Sequence, residues 1–242
     1  MTFMQYPKHI GIIPDWNRTW AQNQWLPKFA GHLEGFNKIV ENTKYIFSNT
    51  DTKVLSVWWL STENNKWRDW EELSYLYWLY KKIPSDLFSF LQEQRINFKR
   101  VWKLDWLPQS LIDFLYEKQK ELSFDSDRYL VLAVNYWWRD EILRGVKYML
   151  DDNSDVKCEQ LSKQCNEGFL SKYLDFYNLP NIELVIRTKW DYAKRLSWFM
   201  LWWIWYAELY FTKKLCPELD TNEINNALVW FDEIVSHRNF GK

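Results

Sequence analysis

The sequence predicts an α/β fold in which a central, mostly parallel β-sheet is flanked by helices. Short apolar, β-branched runs alternate along the 242 residues with longer segments of helical spacing, which is typical of this class. The runs lack strict polar–apolar alternation, as expected for strands buried on both faces. No repeat, low-complexity tract or Pro/Gly/Ser-rich linker interrupts the chain, so residues 1–242 are expected to form a single domain.

The predicted elements follow one another in a regular order. The strands are His9–Pro14, Val54–Leu60, Asn97–Trp102, Tyr129–Asn135 and Ile182–Ile186. Three helices are predicted between them, because apolar side chains three or four residues apart fall on one face. These faces hold Leu33, Phe36, Ile39, Val40 and Thr43 in the first helix, Leu73, Leu76, Leu79 and Tyr80 in the second, and Ile112, Leu115 and Tyr116 in the third.

Polar residues stand where the predicted strands end. Asp15, Ser61, Asn135 and Arg187 lie at or just after four of these ends. Ligands of open α/β sheets bind beyond the carboxyl ends of the strands. We therefore expect the four residues to converge on one rim of the sheet.

Further polar residues extend this set. They are Asn17, Arg18, Lys28 and His32 after the first strand, Thr62, Glu63, Asn64 and Arg68 after the second, and Arg195, Ser197 and Glu208 after the last. Arginine forks and helix N-termini suit phosphate oxygens, and two carboxylates beside a diphosphate suit Mg²⁺. The residues therefore predict a diphosphate site assisted by a metal. Each residue alone also has an ordinary interpretation, as a turn or cap residue or a surface ion pair.

Composition excludes several other classes of protein. With 31 basic and 32 acidic residues the net charge is −1, so no global field favours nucleic acid. The three cysteines have no metal-ligand spacing and leave one unpaired, which favours a reducing compartment. The first residues lack the apolar core of a signal peptide, and the apolar run Leu196–Ala207 is too short to span a bilayer. A soluble, cytoplasmic protein is expected.

The ratio of glycine to tryptophan is unusual. Glycine normally makes up about 7% of a chain, or about 17 residues of this length, whereas this sequence has 6 glycines and 18 tryptophans. Trp16 directly follows Asp15, at the tightest point of the loop after the first strand. A loop that binds phosphate through its backbone is expected to have glycine there.

Five ordered blocks of sequence resemble the cis-prenyltransferases, the undecaprenyl diphosphate synthase family. They are residues 9–21 (HIGIIPDWNRTWA), 26–32 (LPKFAGH), 61–76 (STENNKWRDWEELSYL), 132–139 (LAVNYWWR) and 186–211 with IRT, RLS and WYAELYF. The resemblance extends from His9 to about Glu233. Departures concern details of substrate geometry: Thr19 replaces a family arginine, Asn65 replaces a family tryptophan, one extra residue precedes Arg68, and two extra residues precede Arg195.

The resemblance implies the transfer of isopentenyl diphosphate onto an allylic diphosphate such as farnesyl diphosphate, with Mg²⁺ as cofactor. It assigns catalysis to Asp15 and Asn64, with Ser61 as a further candidate for placing the proton that leaves, and metal binding to Asp15 and Glu208. The other implied substrate-binding residues are Trp16, Asn17, Arg18, Thr19, Trp20, Lys28, His32, Thr62, Glu63, Asn65, Arg68, Arg187, Arg195, Leu196 and Ser197. It also implies a homodimer, a hydrophobic tunnel lined between Leu73 and Phe98, and peripheral membrane contact for product release. Ordinary core packing is an equal alternative for the tunnel residues.

The same comparison places tryptophan on glycine positions of the family. These positions are Trp16, Trp25, Trp102, Trp137, Trp138, Trp190 and Trp198; Trp59 and Trp205 fall on positions that take small residues. Some bacterial lineages read the UGA codon as glycine, and translating it as tryptophan would give this pattern. The rival hypothesis is a tryptophan-rich, non-catalytic homologue or subunit that binds a prenyl diphosphate. A generic sugar- or nucleotide-phosphate enzyme would need a glycine-rich fingerprint or a Walker lysine, and neither is present.

Overall fold

The computed structural model describes residues 4–82, 85–188, 195–197 and 199–237. The strands are β1 (His9–Ile13), β2 (Val54–Ser61), β3 (Asn97–Trp102), β4 (Tyr129–Tyr136), β5 (Leu184–Arg187) and β6 (Glu208–Phe211). The helices are α1 (Asn17–Asn23), α2 (Lys28–Asn49), α3 (Thr62–Trp67), α4 (Trp70–Lys81), α5 (Ser85–Glu93), α6 (Gln109–Glu121), α7 (Trp138–Asp152), α8 (Cys158–Gln164), α9 (Glu167–Ser171) and α10 (Thr221–His237). A 3₁₀ turn at Cys216–Glu218 precedes α10.

The six strands form one sheet with the order β3-β4-β2-β1-β5-β6, and every described pairing is parallel. The predicted α/β class with a mostly parallel sheet is therefore confirmed. β1 lies at the centre, with β2 on one side and β5 on the other. The chain runs from β1 to β2, β3 and β4 on one side and then returns to β5 and β6 on the other, so the strand order reverses at β1 and a crevice is expected at its carboxyl end.

Both faces of the sheet are covered by apolar layers. Alternate residues of the central strands point to opposite sides, so Ile10, Ile12 and Leu55 join one core, while Val131 and Ala133 join the other. The first core is completed by helices that contribute Phe36, Leu76, Leu91, Leu111 and Ile224. The second is completed by Leu174, Phe176, Phe199, Met200 and Trp203. This double burial explains why the strands read as apolar runs without alternation.

The predicted strands agree with the structure to within two residues at each end. The sixth strand, Glu208–Phe211, is not among the predictions. It has four half-buried residues at the edge of the sheet and is paired on one side, to β5. A short edge strand of this kind lacks the continuous apolar run that identified the buried ones.

Candidate active site

A cavity of about 350 Å³ opens at the carboxyl ends of β1, β2 and β5. Its polar lining contains most of the residues proposed from sequence: Asp15, Trp16, Asn17, Arg18, Thr19, His32, Ser61, Glu63, Asn64, Arg68, Arg187 and Ser197. Three different strand ends contribute to this lining, as expected for a crevice at the point where the strand order reverses. Asp15, Ser61 and Arg187 thus meet at one rim, whereas Asn135, which was expected there too, does not line the cavity.

Asp15 and Arg187 form the centre of the site. Arg187 Nη2 lies 2.6 Å and Nε 2.9 Å from Asp15 Oδ2, a forked ion pair between the ends of β1 and β5. Arg187 also donates to Ser197 Oγ at 3.1 Å and to the main-chain oxygen of Arg195. Burial raises the pKa of the Asp15 carboxyl above its ordinary value, and the charge of Arg187 opposes that shift. Arg187 thus ties the segment 195–197 to the carboxylate.

The loop after β1 is held against the start of α2 by close backbone contact. A Cβ atom at Gly31 would clash with the main-chain oxygen of Asn17, and one at Gly35 would clash with Asn17 Oδ1. Only glycine allows α1 to approach α2 this closely. These two glycines therefore set the position of Asn17 and of Arg18, which follows it in the cavity wall.

The helix α3 brings Asn64 to the cavity. Ser61 caps this helix, since its Oγ accepts a hydrogen bond from Asn64 N at 2.9 Å. Two other proposed site residues of α3 are buried and turned towards the protein interior. Thr62 Oγ1 donates to Asn135 O at 3.0 Å, and Asn65 accepts a hydrogen bond from Tyr77. Thr62 and Asn65 therefore anchor α3 rather than line the cavity.

A buried carboxylate, Glu72, gathers three cationic or imidazole groups behind the cavity. Glu72 is 1% exposed; its carboxylate lies 2.9 Å from His32 Nε2, 3.3 Å from Arg68 Nε and 3.6 Å from Arg18 Nη1. Burial acts to raise the pKa of Glu72, but the His32 hydrogen bond and the Arg68 charge outweigh it and lower that pKa. Burial lowers the pKa of His32, and the hydrogen bond to Glu72 opposes this shift. An ionised Glu72 can only accept, so His32 Nε2 donates.

Glu72 is a site residue that sequence reasoning missed. It stands in the family-like block at residues 61–76, but an acidic residue in the first turn of a helix is usually a solvated partner of the helix dipole. Its burial and its three partners distinguish it from Glu71, which is largely exposed and lies 4.0 Å from Lys28. The sequence alone does not contain this distinction.

The inner part of the cavity is apolar. Its wall is formed by Phe36, Ile39, Trp59, Leu76, Leu79 and Tyr80. The ring of Trp59 stacks on Tyr80 with centroids 4.8 Å apart and lies 5.5 Å from Phe36. A polar mouth joined to an apolar interior suits a ligand with a charged head and a hydrocarbon tail. Three of the predicted tunnel residues, Leu76, Leu79 and Tyr80, lie in this wall.

Several proposed residues lie outside the cavity wall. Lys28 pairs with Asp69 at 2.8 Å, and Leu196 packs in the second core. Arg195 contributes its main-chain oxygen to Arg187, and Trp20 lies in α1 away from the wall. Glu208 pairs with Leu184 at the start of β5, whereas Arg187 pairs with Phe211 at the end of β5, three residues further along both strands. At about 3.3 Å per residue, the Glu208 backbone is about 10 Å from the Asp15–Arg187 end of the sheet.

The donor set at the rim fits a magnesium ion that is bound mainly through substrate phosphates. Among the described residues, no group of three or more His, Cys, Asp and Glu side chains could hold a metal ion. Asp15 supplies one carboxylate to the cavity. Mg²⁺ commonly takes one or two carboxylates and completes its shell with phosphate oxygens and water. Asp15 alone is thus a sufficient protein ligand if a diphosphate is present.

Three tryptophans have backbone conformations that favour glycine. Trp16, Trp25 and Trp106 have φ angles of 73°, 58° and 67°. Such angles cost an L-residue about 1–2 kcal/mol. At Trp137 the backbone is extended with φ −147°, which any residue adopts. Trp190 and Trp198 lie outside the described residues.

The chain is similar to known proteins in both sequence and fold. The sequence model of a family described as putative undecaprenyl diphosphate synthase matches residues 13–241. An isoprenyl transferase of Bacillus cereus is 34% identical over 225 residues, covering 93% of this chain and 85% of that protein. One from Thermotoga maritima is 31% identical over 239 residues, covering 98% of both chains.

Two solved structures share the fold. Lavandulyl diphosphate synthase from Lavandula x intermedia, in complex with dimethylallyl diphosphate, superimposes with a TM-score of 0.83 at 24% identity, covering 98% of this chain and 99% of that one. A probable undecaprenyl diphosphate synthase from Campylobacter jejuni gives a TM-score of 0.73 at 24% identity, covering 99% and 100%. At this identity the two structures support the fold itself.

Proposed function

The chain belongs to the undecaprenyl diphosphate synthase family of cis-prenyltransferases, and on this basis we propose that it elongates an allylic diphosphate, such as farnesyl diphosphate, with isopentenyl diphosphate. The observation that carries the proposal is the cavity that combines a cationic mouth, an Asp15–Arg187 pair and an apolar interior. The product is a polyprenyl diphosphate that serves as a lipid carrier. Relatives named as transferases give no support to a non-catalytic binding subunit.

In each cycle the allylic carbon–oxygen bond breaks and diphosphate leaves. The double bond of isopentenyl diphosphate forms a new carbon–carbon bond to the allylic carbon, and a proton is lost to give a cis double bond. The backbone of Trp16 and of the first residues of α1 (17–19), with Arg18 and His32, is suited to hold the allylic diphosphate. Arg187 and Ser197 are suited to hold the isopentenyl diphosphate, because they lie side by side at 3.1 Å.

The proton must leave from a position near α3. Asn64 and Ser61 line the cavity there, but an amide and a capping hydroxyl are weak bases. We propose that they orient the substrate while an oxygen of the departing diphosphate accepts the proton. Charge on that diphosphate is stabilised by fixed cations in a site shielded from water.

Mg²⁺ is proposed as the cofactor and Asp15 as its ligand; the bound ion would neutralise the diphosphate that leaves. Glu208 lies too far along the sheet to share this ion within one chain, so we propose that it assists from a partner subunit in a homodimer. Trp205 and Tyr206, both 64% exposed, lie next to Glu208 and are suited to a subunit contact. Light scattering tests whether the protein forms a dimer. Loss of the dimer in Tyr206→Lys would support a subunit contact at Trp205 and Tyr206.

Peripheral membrane contact for product release is also part of the proposal, since a long polyprenyl chain is insoluble in water. Within residues 4–82, 85–188, 195–197 and 199–237, no helix combines the length and apolar character needed to cross a bilayer. Sedimentation with vesicles, with and without the reaction product, tests for such contact. Binding that depends on product is the expected result.

We further propose that glycine occupies several of the tryptophan positions in the organism, because UGA is read there as glycine. The positive φ angles of Trp16 and Trp25 support this at two positions where the family has glycine or a tight turn. Trp106 has the same left-handed conformation, with φ 67°, so we propose glycine at this position as well. Mass spectrometry of the native protein tests this directly, and tryptophan at position 16 would refute it.

The transferase proposal is tested by incubation with labelled isopentenyl diphosphate, farnesyl diphosphate and Mg²⁺. Labelled chains longer than the primer are expected from the native enzyme. Asp15→Asn keeps the size of the side chain but removes its charge, so it should lose metal-dependent turnover. Unchanged turnover in Asp15→Asn would contradict the assigned role of this carboxylate.

A further inference from the structure

Asn135 lies at the end of β4 in an unusual conformation. It is completely buried, and its φ angle is 52°, in the left-handed region. The β2–β4 ladder is irregular at this point: Val134 pairs with Leu60, Tyr136 pairs with Ser61, and the register shifts between them. Asparagine tolerates this conformation better than most residues, at some cost in stability. A buried amide in such a turn must find its hydrogen-bond partners within the protein.

The amide and backbone of Asn135 connect the ends of three strands. Asn135 Nδ2 donates to Lys103 O at 2.9 Å and to Asp105 O at 2.7 Å, in the loop that follows β3. The main-chain oxygen of Asn135 accepts the hydroxyl of Thr62 at 3.0 Å, in the first turn of α3. Asn135 itself does not line the cavity. It acts from behind the cavity wall.

The helix α3 depends on such anchors because it has only six residues. A helix this short is not stable by itself in water, so tertiary contacts decide its position. Two side chains secure its buried face: Thr62 to Asn135, and Asn65 to Tyr77. Its exposed face carries Glu63 and Asn64 into the cavity wall. A change at Asn135 therefore reaches the cavity through α3.

We infer that Asn135 is a positioning residue for prenyl transfer, which holds α3 and hence Asn64 in register with the Asp15–Arg187 end of the site. The amide fixes the left-handed turn at the end of β4 against residues 103–105, and the main-chain oxygen of Asn135 accepts the hydrogen bond that fixes Thr62. This inference rests on the proposed transferase function. It adds a residue outside the cavity that determines the rate of the reaction.

The test uses variants that separate the amide from the backbone conformation. Asn135→Gly keeps the left-handed turn and the carbonyl that binds Thr62, but removes both amide bonds. Thr62→Val removes the hydroxyl that donates to the main-chain oxygen of Asn135, so this variant still tests the inference if Asn135→Gly does not fold. Thr62→Ser retains the hydroxyl. Asn178→Gly is the matched control, since Asn178 is also left-handed, with φ 72°, but is exposed and lies outside the cavity wall.

Two readouts are compared. The variants are made in the version of the enzyme that is active, which has either tryptophan or glycine at the family glycine positions. Hydrogen exchange of the peptide 61–68 reports the position of α3 without any need for turnover. Steady-state kinetics report kcat and KM for both diphosphates. Asn135→Gly and Thr62→Val should speed exchange in this peptide and lower kcat by about 10- to 100-fold, with KM little changed. Thr62→Ser and Asn178→Gly should behave as wild type.

The inference is overturned if exchange in peptide 61–68 is unchanged in both variants, or if kcat stays at the wild-type value. It is also overturned if the fall in kcat equals the fall in the folded fraction, or if Thr62→Ser is as slow as Thr62→Val. If the wild-type protein shows no prenyl transfer, the transferase proposal fails, and the exchange data alone decide whether Asn135 holds α3.

Discussion

Trp25 offers a direct test of whether the chain is shaped for glycine. Its side chain is 96% exposed, so it buries almost no apolar surface, and its φ angle of 58° lies in the left-handed region. It stands between α1 and α2, where Leu26 N donates to Ala21 O at 2.8 Å and closes the end of α1. Replacing Trp25 with glycine should therefore remove strain without removing packing.

The expected magnitude follows from two opposing contributions. Relief of the left-handed conformation stabilises the folded state by about 1–2 kcal/mol. The greater freedom of glycine in the unfolded chain opposes this by about 0.5–1 kcal/mol. We expect Trp25→Gly to raise the free energy of unfolding by about 1 kcal/mol, or the melting temperature by about 2–4 °C for a chain of this size.

Two matched variants isolate the cause. Trp25→Ala keeps the strain and should leave stability nearly unchanged. Trp67→Gly replaces a tryptophan that is 82% exposed but helical, in α3, and should destabilise the protein by about 0.5 kcal/mol through lower helix propensity. Urea unfolding followed by circular dichroism measures all three. If Trp25→Gly destabilises the protein as Trp67→Gly does, the argument from backbone conformation is wrong.

Three further predictions concern charged groups. Burial, with the nearby charge of Asp175, raises the pKa of Glu141 from 4.5 to about 7. The free energy of unfolding of the wild-type protein therefore falls as the pH rises between these two pKa values, because the unfolded chain loses this proton first. Gln at this position does not titrate, so the unfolding free energy of Glu141→Gln relative to wild type should rise by about 3 kcal/mol between about pH 5 and about pH 8. Urea unfolding measures this difference, and a difference that does not change with pH would contradict the prediction. Glu72→Ala leaves His32 and Arg68 without their carboxylate and should lower unfolding free energy by about 3 kcal/mol; a loss below about 1 kcal/mol would contradict it. Arg187→Lys cannot fork to Asp15 and should lower kcat/KM for isopentenyl diphosphate by about 10- to 100-fold; a wild-type value would show that charge alone suffices.

The sheet was largely predictable because its strands are apolar on both faces. The run at residues 97–102 begins and ends as predicted, and β1 and β2 differ from the predictions by one residue. Prediction failed for β6, where Glu208 and Tyr210 are half-buried and resemble an exposed loop. Its position nevertheless determines how far Glu208 lies from the Asp15–Arg187 end of the sheet.

The site was predictable where a residue stands at or just after the carboxyl end of a strand. Asp15, Ser61 and Arg187 meet at the rim for that reason. Glu72 and Asn135 required the three-dimensional structure. Nothing in the sequence shows that Glu72 turns inward to His32, or that a left-handed turn carries Asn135 behind the rim it was expected to join. Such contacts depend on packing between distant segments.

The measurement that tests the central claim most directly is incorporation of labelled isopentenyl diphosphate into farnesyl diphosphate with Mg²⁺ by two proteins. One has the sequence as written; the other has glycine at positions 16, 25, 102, 137, 138, 190 and 198. We predict labelled polyprenyl diphosphate from the glycine protein and little or none from the tryptophan protein. Activity in the sequence as written would show that the tryptophans are compatible with catalysis. Absence of incorporation by both proteins would contradict prenyl elongation as the function of this chain.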